Sequence, residues 1–348
     1  MEVCNACRYC EGYCAVFPAM ELRRGFSDGE LDYLANLCHN CRGCYFACQY
    51  APPHPFGINL PRTFAQLRAG TYAEYGWPRP FSKLFYRNGL VVSLVTALSL
   101  SLVLIATMAY HPVDWLFGVH DGPGAFYVMI SYPVMVGTAG ATFGFSVLAM
   151  GIGVLRFWRG TGAGGVPRVN SLGRALVDVL TLRHLGGGGH GCNDRDEGFS
   201  QSRRWLHHLL FYGFALCFLS TTVAAVYDHV LALPAPYPFW SWPVVLGTLG
   251  GIGMVMGAAG LFWLKLTGDN APSAPGLLGA DVGLLFLLGM TALTGLATLA
   301  FRATGAMGVL LALHLGFVLA FFLLMPYSRF VHGLYRTAAL IRNAQETQ

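Results

Sequence analysis

Charge is what this chain has least of. Only 11% of its 348 residues are Asp, Glu, Lys or Arg, against about a quarter in soluble globular proteins. Hydrophobic residues make up 55%, and the mean hydropathy is +0.51. A wholly soluble protein is thereby excluded. Also missing are a Gly-x-Gly-x-x-Gly fingerprint placed after a strand and any strand-rich segment able to hold a flavin. Substrate chemistry is therefore expected to belong to a partner. No apolar leader stands ahead of Cys4, which argues against the oxidising compartment that a disulfide framework needs.

What is present is concentrated at the start. Cys4, Cys7, Cys10, Cys14 and then Cys38, Cys41, Cys44, Cys48 both read C-x2-C-x2-C-x3-C, the spacing with which bacterial ferredoxins hold [4Fe–4S] clusters. Three thiolates two residues apart wrap one corner of a cubane, and the displaced fourth reaches across to the other cluster. On that logic Cys4, Cys7, Cys10 and Cys48 hold one cluster, and Cys38, Cys41, Cys44 and Cys14 the second. Structural zinc favours paired C-x2-C without the x3 member. Cys192 and Cys217 fit no motif and read as structural.

The expected fold is all-α: a cytoplasmic α-helical ferredoxin head over residues 1–87, then a six-helix transmembrane, cytochrome b-like bundle over 88–348. In the head, Ser27-Asp28-Gly29-Glu30 begins like a capping box and leads into a helical pattern that ends on Cys38. A second helix is expected after Pro61. Six stretches are apolar for the roughly 20 residues a bilayer crossing takes: about 90–110, 133–156, 205–230, 243–265, 281–302 and 306–327. With the head in the cytoplasm, 21 of the 22 Lys and Arg fall on that side, Arg302 being the exception. That is the positive-inside pattern, and six crossings return the C-terminus to the same side. The +5 net charge is thus topology, and no nucleic-acid partner is expected. Gly140-x3-Gly144, Gly247-x3-Gly251 and Gly253-x3-Gly257 read as helix-packing positions. The long loop 157–204 carries an amphipathic pattern over 171–184 and the run Gly186-Gly187-Gly188-Gly189. Such a loop either covers the clusters, docks a partner, or is a flexible linker.

Histidines form the second constellation, since an ionisable residue inside a membrane is a functional candidate by default. His207, His208 and His229 lie on the third span. On the sixth span His314 and His332 are 18 residues apart, five full turns on one face. Two helices presenting imidazoles at matched depths suit the clamping of b-type haem, one ring on each side of the iron. The inner pair is His332 with His208 or His207, which point about 100° apart, so only one of them can face the iron; His208 is preferred. The outer pair is His229 with His314. One or two haems are expected.

At this point the residues resemble a known family. Cys4-Asn5-Ala6-Cys7-Arg8-Tyr9-Cys10-Glu11-Gly12-Tyr13-Cys14, Leu37-Cys38-His39-Asn40-Cys41, Ala47-Cys48-Gln49-Tyr50-Ala51-Pro52-Pro53-His54, Arg203-Arg204-Trp205-Leu206-His207-His208 and Met325-Pro326-Tyr327-Ser328-Arg329-Phe330-Val331-His332 are similar to the tricarballylate utilization protein B, or CitB, family. The resemblance implies two [4Fe–4S] clusters and haem b in a bacterial inner-membrane protein with both termini cytoplasmic. It further implies that the protein reoxidises the reduced FAD of a separate tricarballylate dehydrogenase and passes the electrons to the quinone pool. The competing readings are a tricarboxylate transporter and a membrane redox sensor. A transporter would need polar groups at mid-membrane and repeated, broken helices; here charge stays at the span ends.

Overall fold

Helix boundaries follow local chemistry. A computed structural model describes residues 1–347, which are helix and loop with no strand among them beyond one isolated bridge, Cys192 to Ser200. Gln348, the last residue of the expected membrane domain, lies outside the described residues. In the head the longer helices are α1 Glu2–Cys7, α2 Val16–Glu21, α3 Asp28–Leu37 and α4 Leu60–Tyr75. The capping box at α3 is complete: Ser27 accepts from Glu30 N–H while the Glu30 carboxylate accepts from Ser27 N–H at 3.0 Å. The Asn59 side chain caps α4 by accepting from Arg62 N–H at 3.2 Å, with Pro61 inside the first turn.

Among the described residues six helices are long and apolar enough to cross a membrane, so this is a membrane protein. They are α5 Asn88–Tyr110, α6 Tyr132–Gly160, α8 Ser202–His229, α9 Trp242–Thr267, α10 Leu278–Ala300 and α11 Met307–Leu324; between α6 and α8 lies α7 Val169–Leu180. The bundle is organised on α11, half of whose apolar window is buried, compared with 6% for α8. α11 packs on α5, α6 and α10, whereas α8 joins through its neighbour α9, which in turn packs on α10. The α8–α9 pair is closely apposed at glycine: a Cβ on Gly257 would lie 2.6 Å from Leu210 N, and one on Gly253 would lie 3.1 Å from Leu209 O. Gly140 and Gly144, expected to do the same for α6, have nothing within 4 Å of a Cβ, so they face away from the other helices.

The sixth helix does not continue to His332. It ends at Leu324, a 3-10 turn follows over Met325–Tyr327, and Ser328 is extended (φ −117°, ψ 176°). The break has a simple cause. Pro326 lacks the N–H that a helix interior uses, and the Ser328 hydroxyl accepts from Phe330 N–H to start a new turn. His332 then opens α12 His332–Glu346. The five-turn register expected between His314 and His332 is therefore not how the chain brings His332 to its place.

α12 belongs structurally with the head. It packs on α3 and α7. Tyr33, fully buried, is sandwiched between the guanidinium of Arg23 at 4.8 Å and that of Arg342 at 4.1 Å, and Glu346 bonds Arg23 at 2.7 Å. The C-terminal helix is thus fastened to the N-terminal head.

Candidate functional site

Two cysteine-lined cavities lie side by side in the head. The first encloses about 410 Å³, open to solvent at its rim, and is lined by Cys4, Cys7, Cys10 and Cys48 with Tyr9, Gln49 and Tyr50. The second, about 290 Å³ and likewise open in part, is lined by Cys14, Cys38 and Cys41 with His39, Asn40 and Phe64. Cys44 borders both. Left-handed backbone at Arg8, Asn40 and Arg42 (φ 54°, 55° and 68°) turns the cysteine loops around these spaces. Gln49 Nε2 lies 3.5 Å from Cys7 Sγ, and Asn40 N–H donates to Cys38 Sγ at 3.3 Å.

The electrostatics of the thiols follow the same grouping. Burial, with Cys48, Cys4 and Cys7 as the nearest further contributors, pushes the Cys10 thiol up to about 12. Burial and then Cys41 and Cys38 push Cys14 well above the ordinary thiol range, and burial with Cys14, Cys41 and Cys38 does so for Cys44. The neighbours of Cys14 are thus thiols of the second run, and those of Cys10 include Cys48. Thiols this crowded are poor thiolates on their own. A cation among them reverses the balance, because coordination deprotonates a thiol outright. The donor set and its enclosure therefore fit iron–sulfur clusters.

The second cavity is the covered one. Leu182, Leu185 and Cys192 pack with Cys41, and Asn193 N–H donates to the Cys41 carbonyl at 2.9 Å. The glycine run forms this cover. A Cβ on Gly188 (φ +74°) would stand 2.8 Å from the Gly12 carbonyl, and one on Gly187 would be 3.7 Å from Cys41 Sγ. The structure thus uses 186–189 as a lid element over the cysteines. Below the cavity, Arg336 donates to the Cys38 carbonyl at 3.0 Å, and Arg68 to the same carbonyl at 3.1 Å and to that of Ala35 at 2.8 Å. Arg203, from the start of α8, donates to the Asn40 carbonyl. His39 is buried against this group: its Nδ1 is 2.8 Å from the Leu37 carbonyl and its ring is 5.3 Å from that of His184. Burial, then Arg336 and His184, hold it well below the usual histidine range.

The histidines of the membrane region separate. His207 and His332 come together, ring centroids 6.1 Å apart and planes at 67°. Two imidazoles binding one ion from opposite sides at about 2.0–2.1 Å need a centroid separation of about 6 Å, so this pair fits bis-histidine ligation of a haem iron. His332 Nδ1 is held by the Arg329 carbonyl. That leaves Nε2 for a ligand, and a metal-binding histidine usually has its other ring nitrogen fixed in this way. Burial pushes His332 down to about 3, so its imidazole is neutral. His208 points elsewhere, against Trp205 and Tyr212 at 5.7 and 5.8 Å. The preference for His208 thus meets a structure in which His207 faces His332. The outer candidates meet different helices: His229 bonds the Tyr132 hydroxyl of α6, and His314 Nδ1 lies 3.0 Å from the Thr291 carbonyl of α10.

One functional group went unseen in the sequence. Asp281, at the start of α10, pairs with Lys265 of α9 and, at 2.8 Å, with Arg329. Arg329 is the residue whose carbonyl holds His332. The only sequence signal was an acidic residue at the first turn of a span.

Residues 84–348 match the family described as Citrate utilization protein B, and residues 1–74 match the Citrate utilization protein B Fer4-like domain. Citrate utilization protein B of Escherichia coli is 46% identical over 352 aligned positions, covering 99% of this chain and 90% of that protein. No solved structure matches.

Proposed function

The chain belongs to the citrate utilization protein B family, and on that footing we propose that it is the membrane electron carrier that takes electrons from a reduced flavoprotein and delivers them to quinone. A redox role fits its Fer4-like domain and membrane helices. The observation that carries the finer reading is the order of sites: an exposed four-cysteine cavity, a covered one beside it, then the His207–His332 pair beneath. Cys4, Cys7, Cys10 and Cys48 would hold the outer cluster; Cys14, Cys38, Cys41 and Cys44 the inner one; His207 and His332 a haem b. When bound, these groups supply one-electron carriage at three successive points.

The chain's residues do the rest. Tyr9, 67% exposed, lines the first cavity, and Phe56, 60% exposed, packs on Tyr50 of its wall; together they form an approach for the donor. The 186–189 cover keeps water from the second. Arg336 joins the second cavity to the histidine pair, since it bonds the Cys38 carbonyl from the first turn and a half of α12. Across the whole transfer, reduced flavin gives up two electrons and two protons, and quinone takes up two of each. The partner is proposed to be an FAD-dependent dehydrogenase of a tricarboxylate such as tricarballylate, in keeping with the citrate utilization for which the Escherichia coli relative is named. The distribution of basic residues supports a head and both termini on the cytoplasmic side of a bacterial inner membrane. A second, outer haem is not part of this reading, because the Tyr132 hydroxyl engages His229 Nε2; His314, held at Nδ1 by the Thr291 carbonyl, keeps its Nε2 as His332 does.

The test is direct. Protein purified in detergent is assayed for iron, acid-labile sulfide and haem, then reduced with dithionite and offered a quinone analogue. Eight cluster iron atoms follow from two cubanes, with one haem and reoxidation by the quinone. Protein lacking haem, or reduced protein that the quinone leaves unoxidised, would refute the proposal.

A further inference from the structure

The helix α7 wears its apolar face on the outside. Along Val169–Leu180 the exposed large apolar side chains are Val169 (82%), Leu172 (42%), Leu176 (56%), Val177 (58%) and Leu180 (40%), beside exposed Asn170, Gly173 and Arg174, whereas Ser171 and Ala175 are fully buried. At about 100° per residue, Val169, Leu172, Leu176 and Leu180 form one stripe. The small and polar positions Ser171, Ala175 and Asp178 fall on the opposite side, which packs against α12. A helix on a water-facing surface has the reverse arrangement, since exposing several large aliphatic side chains forfeits about 1.5–3 kcal/mol each.

The position of α7 says what covers that stripe. Its last carbonyl, Leu180 O, accepts from the Tyr212 hydroxyl at 2.7 Å, and Thr181 O accepts from Arg204 at 2.8 Å. Tyr212 is ten residues into α8, about 15 Å along its axis, on a helix that is apolar enough to span a membrane. Trp205, Leu209 and Tyr212 are exposed on α8, so the stripe is continuous with the surface that a membrane-spanning helix turns to lipid. Val177 widens the apolar face, and Arg174 is exposed about 60° beyond it, on the polar side of that edge; the Arg183 side chain, 3.6 Å from Asp178, is 74% exposed just past the end of the helix. Aliphatic residues on one face with arginines at the border are the pattern of a helix lying in the bilayer interface.

We infer that α7 lies in the leaflet nearest the cysteine head, its Val169–Leu172–Leu176–Leu180 stripe against phospholipid acyl chains and Arg174 and Arg183 at the phosphates. This gives the helix a task. It runs directly into Leu182 and Leu185, which pack on Cys41, so lipid holding α7 also holds down the cover of the second cavity. The inference does not depend on which cofactors the head and histidines bind.

A photo-crosslinking amino acid placed at Leu176 reads the contact, in nanodiscs of phosphatidylethanolamine and phosphatidylglycerol. Leu102, 62% exposed on α5, is the lipid-facing reference, and Glu197, exposed in the loop, the aqueous one. Irradiation followed by mass spectrometry should give phospholipid adducts at Leu176 in a yield comparable to that at Leu102, with none at Glu197. A second label at Leu172 guards against a misfolded first variant. Adduct yields at both stripe positions no greater than at Glu197 would overturn the inference, as would crosslinks from them to a second copy of the chain in place of lipid.

Discussion

Asp281→Asn separates a positioned His332 from one that merely lies near His207. The carboxylate is the common partner of two cations: Lys265 on one oxygen and Arg329, at 2.8 Å, on the other, with the Asp281 side chain only 11% exposed. Asn keeps the size and removes the charge, leaving two cations facing each other at the head end of the bundle. Breaking a fully buried ion pair costs about 3–5 kcal/mol. Lys265 and Arg329 are 33% and 23% exposed, so water and ions take up part of the loss, and about 1–3 kcal/mol is expected. For a chain of this size that is a fall in Tm of about 2–6 °C. Arg329 also supplies the carbonyl that holds His332 Nδ1, so the variant should purify with less haem and an altered b-type spectrum. Adding Lys265→Met should recover part of the stability, because the two sites share one network. Thermal unfolding and the reduced-minus-oxidised spectrum read both effects. An unchanged Tm together with full haem content would refute the linkage from Asp281 through Arg329 to His332.

Three further substitutions test the remaining sites. Cys14→Ala should remove the paramagnetic signal of the second cluster while the first survives, because the thiols around Cys14 are Cys41 and Cys38; loss confined to the first cluster would show the crossing to be wrong. His207→Ala and His332→Ala should each abolish the b-type absorption and block quinone reduction, whereas His208→Ala should leave both in place; loss on His208→Ala alone would reverse the assignment. Gly188→Val puts a side chain 2.8 Å from the Gly12 carbonyl on a left-handed backbone, a local cost of about 1–3 kcal/mol. It should lift the cover and speed removal of iron by a chelator from the second cluster, and a rate equal to that of the unaltered protein would count against the lid.

What the sequence made legible was local or periodic. The capping box at Ser27 and the helix after Pro61 depend on neighbours within a few residues, and both are present as expected. The six apolar helices need only length and composition. Register across a break is different. The step from His314 to His332 assumed one rigid helix, yet Pro326 and Ser328 were in plain view as a stop followed by a cap; hydropathy averages over such signals. The choice between His207 and His208 depended on how α8 is rotated in the bundle, and that is set by its close approach to Gly253 and Gly257 of α9. The docking of α12 onto α3, the arginines at the Cys38 carbonyl and the Asp281 network all join residues from separate elements, many of them far apart in the chain. No periodicity records them.

Those arginines bear on why charge would move inward through the head. Arg68 is 3% exposed, and it shares the Cys38 carbonyl with Arg336, while Arg203 bonds the carbonyl of Asn40. Three guanidinium groups therefore surround the second cysteine loop from the side of the membrane bundle. The first cavity has Arg8 in its wall, with water at its rim. A unit positive charge about 8 Å from an added electron, at an effective dielectric near 20, favours it by about 2 kcal/mol. Such charges oppose what burial takes away at the second site, and net charge and hydrogen bonding are among the levers that set cluster potentials. Arg336 and Arg203 are anchored one turn from His332 and His207 respectively, on the same helices. Two of the three arginines beside the second cavity are thus mounted on the elements that carry the histidine pair, and any shift of α8 or α12 would move the charge and the histidine together.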